Sequence, residues 1–255
     1  MSGLRTIDVT GMDDPGVLDT PSVQEFLQEI HKRATREQLD ALLAALGRKA
    51  QRFGEILAPD ALTTMDEPTA RALLRSIFVT RRRGGAVLGA DPVSVFADRV
   101  AELLYGSGPL EARFDAFCAA VALDEAHAPD LAAELLHFSA PDVHPLWSRW
   151  IWDPRTRTGA LPLVMGDDVD LEADGPGAVY ARVAQASRFL DGTAEVASFR
   201  TSAGGSLATD VFLVGVYSVY MNTVLGLKMS QEFNAIVPAL PELGRRLLGV
   251  HRMEV

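Results

Sequence analysis

Thr35-Arg36-Glu37-Gln38-Leu39-Asp40-Ala41-Leu42-Leu43-Ala44-Ala45-Leu46-Gly47-Arg48-Lys49-Ala50-Gln51-Arg52-Phe53 decides the fold class. Thr35 followed three residues later by Gln38 has the form of a capping box, in which two side chains satisfy backbone groups left open at a helix start. Leu39, Leu42, Leu43, Leu46, Ala50 and Phe53 then recur at helical spacing and form one apolar stripe. A helix of this kind must bury its stripe against other elements. Pro59 ends it.

The same punctuation recurs on both sides. Ser22-Val23-Gln24-Glu25 is a second box and sets a helix start near Ser22, with Thr20-Pro21 as a competing start one turn earlier. Asp66 before Pro68 opens a helix through Leu73, Leu74, Ile77 and Phe78. Asp91 before Pro92 opens one through Val95, Phe96, Val100, Leu103 and Leu104, stopped at Gly106. Pro109 leads into Leu110, Phe114, Phe117 and Val121, and Asp130 caps Leu131 to Phe138, closed by Pro141. Helices resume over 178–190, 207–227 and 241–248. The expectation is an all-α fold, a compact multi-helix bundle of about eight to ten helices. One short strand pair fits beside them, from the runs at 5–9 and 160–165.

Residues 1–20 read as an N-terminal arm and 21–255 as a single helical domain, with a sub-boundary that can be drawn near 160–177. The C-terminal helices are too few and too apolar to stand alone.

Composition narrows function. In 255 residues, 34 acidic side chains outnumber 24 basic ones, for a net charge of −10. A nucleic-acid binder draws most of its affinity from neutralised phosphates, so this balance disfavours nucleic acid and anionic membranes. The lone cysteine, Cys118, excludes an intrachain disulfide and fits a reducing cytoplasm. Within Phe114–Val121 it reads as a small core hydrophobe. The N-terminus has no apolar signal-peptide core. The longest apolar stretch, Val211 to Met221, is short of the roughly 18 residues of a membrane span and reads as a buried helix. A cytoplasmic location is expected.

The segment Leu135-Leu136-His137-Phe138-Ser139-Ala140-Pro141-Asp142-Val143-His144-Pro145-Leu146-Trp147-Ser148-Arg149-Trp150 carries a family resemblance. With the short helices before it, it resembles the helix-hairpin-helix DNA glycosylases over about residues 66–152. In those enzymes a helix ends in a Pro-containing loop before a helix bearing a catalytic aspartate. The glycine-rich phosphate-gripping hairpin would fall near Leu123–Asp130, which has no glycine, and the aspartate near Trp147 or Ser148, which are not carboxylates. The resemblance therefore implies a degenerate glycosylase-like fold, with residual nucleic-acid contact through Arg81–Arg83.

Other constellations are partial. Asp130, Glu134 and His137 share a helix face at i, i+4 and i+7, and Glu134-Leu135-Leu136-His137 matches half of a di-iron Glu-x-x-His set. No second unit exists, so no metal is expected and these three stay weak candidates. Asp170-Leu171-Glu172-Ala173-Asp174-Gly175 imitates half of a calcium loop, but Ala181 stands where the bidentate glutamate belongs. No Walker loop, Rossmann fingerprint or Gly-x-Ser-x-Gly elbow is present, Ser202–Ser206 reads as a flexible turn, and no cofactor is expected.

Arg81, Arg82 and Arg83 form the only dense basic cluster. Trp147, Trp150 and Trp152, with Arg149, Arg155 and Arg157, concentrate binding-type residues between His137 and Arg157. Trp147, Trp150 and Ile151 share a helical face while Trp152 points elsewhere, which leaves a tryptophan for a partner. Tyr217, Tyr220, Asn222 and Asp210 add polar groups to an apolar helix. The leading expectation is a non-enzymatic accessory or assembly protein binding another protein through His137, His144, Trp147, Arg149, Trp150, Arg155, Arg157 and Arg81–Arg83. Homo-oligomerisation is compatible with it. The alternative is an enzyme or a small-molecule or metal binder with a pocket near His137, His144, Trp147 and Arg149.

Overall fold

A computed structural model of the chain describes residues 17–89, 92–193, 196, 205–228 and 238–251. Eleven α-helices occur among these residues: α1 Thr20–Arg33, α2 Arg36–Ile56, α3 Pro59–Thr63, α4 Glu67–Arg75, α5 Gly84–Gly89, α6 Val93–Tyr105, α7 Leu110–Ala120, α8 Ala128–Ser139, α9 Pro176–Asp191, α10 Leu207–Lys228 and α11 Leu240–Leu247. The fold is all-α, and no strand is present among the described residues. The strand expected at 160–165 is instead a 3₁₀ turn, Leu161–Leu163. Pro162 lies within it; its ring fixes φ and removes the donor that a ladder would need. Only an isolated antiparallel bridge, Leu18 with Met165, remains there. The run at 5–9, Asp91 and Ser202–Gly204 lie outside the described residues.

Helix starts follow local side-chain chemistry. The Thr35 box forms in full: the Gln38 N–H donates to Thr35 Oγ1 at 3.3 Å and the Thr35 N–H to Gln38 Oε1 at 2.9 Å. The Asp66 carboxylate accepts from the Thr69 N–H at 2.9 Å. The Ser22 start gives way to the earlier one. Asp19 caps α1 by accepting from the Ser22 N–H at 3.3 Å, with Pro21 in the first turn. Asp130 is not a cap either; α8 begins at Ala128, and Asp130 lies buried in its first turn.

The described residues fall into two compact units. One takes 17–46, 149–170 and the described residues from 185 onward; the other takes Gly47–Ser148 and Leu171–Ala184. In the first, α10 packs against α1 and α11. By length and composition α10 could cross a membrane, yet 67% of its window Leu207–Val224 is buried within the protein. Gly215 lets α1 approach it closely, because a Cβ there would stand 2.5 Å from Ile30 Cδ1.

In the second unit α6 and α7 both pack on α8, α3 packs on α6 and α4 on α5. Every residue of α8 from Ala128 to Phe138 is buried. A helix enclosed on all sides is normally apolar all round. This one carries Asp130, Glu134 and His137.

Candidate functional site

The enclosed ionisable groups of α8 are met by a partner from α2. Lys49 Nζ lies 2.7 Å from Glu134 Oε2, with side chains 1% and 6% exposed. The ammonium also sits over the Phe138 ring, 3.9 Å from its centroid, and 5.3 Å from that of Phe53. Ring faces attract a cation, and here they replace part of its lost hydration. Burial pushes the Glu134 carboxyl above its ordinary range, against the opposing pull of Lys49, the Phe78 backbone N–H and His137. His137 Nδ1 donates to the His144 carbonyl at 2.7 Å, since that oxygen can only accept. Its ring meets Phe138 edge-on at 4.7 Å.

The metal-like row is thus largely occupied by structural contacts. A lysine ammonium stands beside Glu134, and among the described residues no group of three or more His, Cys, Asp or Glu side chains is placed to hold a metal. Sequence reasoning missed Lys49. The signal was there: Lys49 is three residues after Leu46 and four before Phe53, on the apolar stripe itself. A charge on the core face of one helix calls for an opposite charge on another, and Glu134 in the enclosed α8 supplies it.

The tryptophans require a correction. Residues 140–152 form turns and irregular backbone with no helix, so the helical face expected to hold Trp147 and Trp150 does not exist. Pro141 and Pro145 interrupt the backbone hydrogen bonding that a helix needs. Trp147, Trp150 and Trp152 are 3%, 8% and 5% exposed, so no tryptophan is left over for a partner. In the second unit Trp147 stacks on Phe114 at 6.0 Å, and Phe114 on Tyr180 at 4.9 Å; the Tyr180 hydroxyl donates to the Pro145 carbonyl. In the first unit Trp150 meets Tyr217 at 6.1 Å. The expected site also divides, with His137, His144 and Trp147 in one unit and Arg149, Trp150, Arg155 and Arg157 in the other.

The arginines behave differently. Arg155 and Arg157 are exposed and Arg149 is half-buried. Their turn is tied by four contacts: Asp153 N–H to the Thr158 carbonyl (2.7 Å), Arg157 N–H to the Asp153 carbonyl (2.8 Å), Arg155 N–H to Asp153 Oδ1 (3.0 Å), and the Thr156 and Thr158 hydroxyls to each other (2.7 Å). Arg157 adopts φ 55°, the one described non-glycine residue in the left-handed region.

In the other unit α4 stops at Arg75, earlier than the sequence pattern indicates, and residues 76–83 form a turn. Ile77 and Val79 are buried, whereas Phe78, expected in the core, is 41% exposed. The Arg81 guanidinium lies 5.7 Å from the Phe78 ring centroid, and Arg82 and Arg83 are exposed.

Two further groups are inert. Cys118 is held as a thiol, its pKa pushed up to about 12 by burial and by the neighbouring Asp115 charge. Ala181, where the calcium-loop mimic needs its glutamate, lies inside α9.

No family model, curated protein or solved structure matches this chain.

Proposed function

We propose that this chain is a non-enzymatic accessory or assembly protein of the cytoplasm, and that it binds another protein through arginine-bearing turns. One observation carries the reading: Arg82, Arg83, Arg155 and Arg157 are exposed on ordered turns. Arginine offers five donors in a rigid fork and is enriched among residues that dominate interface energy. Contacts made by three groups that could do chemistry also support the reading. Glu134 pairs with Lys49, His137 is oriented by the His144 carbonyl, and Cys118 is a protonated thiol.

The test is affinity capture with the full chain, comparing wild type with Arg155→Ala and Arg157→Ala in cells that make the protein. The expected result is a captured protein lost from both variants at unchanged folding. Equal capture by all three, or capture of none, sinks the reading.

A small-molecule or metal binder is the second reading, favoured by three ionisable residues buried on one helix. Native mass measurement and elemental analysis of the purified protein decide it; a stoichiometric ligand or metal lost on His137→Ala replaces the first reading with the second.

A further inference from the structure

We infer that the turn at 76–83 is the docking point for an acidic segment of a partner protein, a segment that carries a large apolar residue. The inference rests on the protein-binding reading above and names the chemistry of one of its surfaces.

Phe78 is the first support. Among the described residues only Phe78, Tyr105 and Val143 are large hydrophobics left exposed. Tyr105 already uses its hydroxyl to bond the Leu57 carbonyl at 2.8 Å. Phe78 instead presents its ring between two buried neighbours, Ile77 and Val79, so the backbone turns the ring outward while both flanking side chains hold the core. With Arg81 beside that ring, the aromatic and the guanidinium form one platform.

Charge is the second. Arg81, Arg82 and Arg83 are consecutive in a chain of net charge −10, so this positive field is local and small. A short run of carboxylates fits it. A continuous phosphate backbone fits less well, because the acidic Asp124 is close enough to Arg83 to feel its charge. Asp124 is one of 34 acidic residues in the chain, and together they repel a long polyanion.

Rigidity is the third. Thr80 is fully buried, and its hydroxyl donates to the Leu74 carbonyl at 2.7 Å. The Arg81 N–H donates to the Ile77 carbonyl at 2.9 Å, and the Arg83 and Gly84 N–H groups both reach the Thr80 carbonyl at 2.8 Å. The backbone N–H of Phe78 is held by the Glu134 carboxylate, itself paired with Lys49. A turn fixed in this way loses little freedom on binding, which lowers the cost of association.

The experiment places a photo-cross-linking benzoylphenylalanine at position 78 of the full chain, and separately at position 155, in cells that make the protein. The cross-linked peptides are then sequenced. The expected product at 78 joins a segment of another protein that has net negative charge and at least one large apolar residue. Its yield should fall at least about tenfold in an Arg82→Glu/Arg83→Glu background whose thermal unfolding is unchanged. Cross-links at 78 to nucleic acid, to a second copy of this chain, or to a segment without acidic residues overturn the inference. So does a cross-link whose yield ignores the double reversal. A partner captured from 155 with nothing from 78 overturns this inference and leaves the protein-binding reading standing. Nothing from either position overturns both.

Discussion

Lys49 and Glu134, 85 positions apart in the chain, meet at 2.7 Å inside the second unit, with both side chains withdrawn from water. Removing two charges from water costs more than their attraction necessarily returns, but leaving one of them alone is far worse. Lys49→Ala and Glu134→Ala are therefore each expected to destabilise by about 3–5 kcal/mol, while the double change Lys49→Met/Glu134→Leu should come close to neutral. Chemical denaturation of the four proteins checks this. Single variants as stable as wild type would show that the pair is not closed in solution.

The N-terminus of α9 gives a second prediction. Gly177 lies so close to α7 that a Cβ would collide with the Glu111 carbonyl, standing 2.8 Å from its carbon atom. Its N–H donates to Asp115 Oδ1 at 2.8 Å. Backbone cannot move aside as a side-chain tip can, so Gly177→Ala should cost about 1–3 kcal/mol. Asp115→Ala, which removes only the cap, should cost about 1 kcal/mol. Thermal unfolding that ranks them in the reverse order would refute this packing.

These two sites mark the limit of what the sequence discloses. Capping signals and prolines act over three or four residues, so the starts at Thr35 and Asp66 are legible and are realised atom by atom. The pairing of Lys49 with Glu134 is a long-range fact, and a stripe read as apolar hides the lysine within it. The tryptophans fail for a related reason. Arginine content near Trp147 and Trp150 looks like an interface, yet irregular backbone after Pro145 lets each ring enter a core separately. Phe78 fails in the opposite direction: α4 ends at Arg75, so a residue counted on its apolar face is turned outward. Of the candidate site, the exposure of Arg155 and Arg157 was legible, because a polar turn cannot be buried without partners.

Cys118 has a folded pKa of about 12, against an ordinary value of 9.0. At pH 8 its thiolate fraction should be about a thousandfold below that of an unperturbed thiol, and its reaction with a disulfide reagent slower in proportion. Because the folded value lies above the unfolded one, the stabilisation from keeping the thiol protonated is complete below about pH 9. It is lost as pH rises toward 12. Labelling in native and denaturing buffer measures the ratio; equal rates would place Cys118 in water.

Ile30 and Gly215 are coupled by contact, since a Cβ on Gly215 would lie 2.5 Å from Ile30 Cδ1 and 2.7 Å from Cγ1. Gly215→Ala should destabilise by about 1–3 kcal/mol through overpacking. Ile30→Ala leaves a cavity of its own, but the double variant should be more stable than the sum of the two losses by about 0.5 kcal/mol or more. Strict additivity in denaturant unfolding would mean that α1 and α10 are not in contact there.

Arg155 and Arg157 share one turn, and substitutions there separate an effect on stability from an effect on binding. Arg155 makes its ordering contact through its backbone N–H, so Arg155→Ala should change stability by less than about 0.5 kcal/mol. Arg157 is held at φ 55°, where an L side chain is crowded against its own backbone and glycine is not. Arg157→Gly should therefore gain about 1 kcal/mol from the relieved conformation, offset in part by the greater freedom glycine has when unfolded. Arg157→Ala keeps the crowding and should gain nothing. If the turn binds a partner, both Arg157 variants lose capture, and the glycine variant loses it while at least as stable as the alanine one. That combination cannot arise from misfolding. Capture that persists in Arg157→Gly would show that the strained arginine serves no binding role. A glycine variant clearly less stable than the alanine variant would show that the left-handed turn itself is wrong.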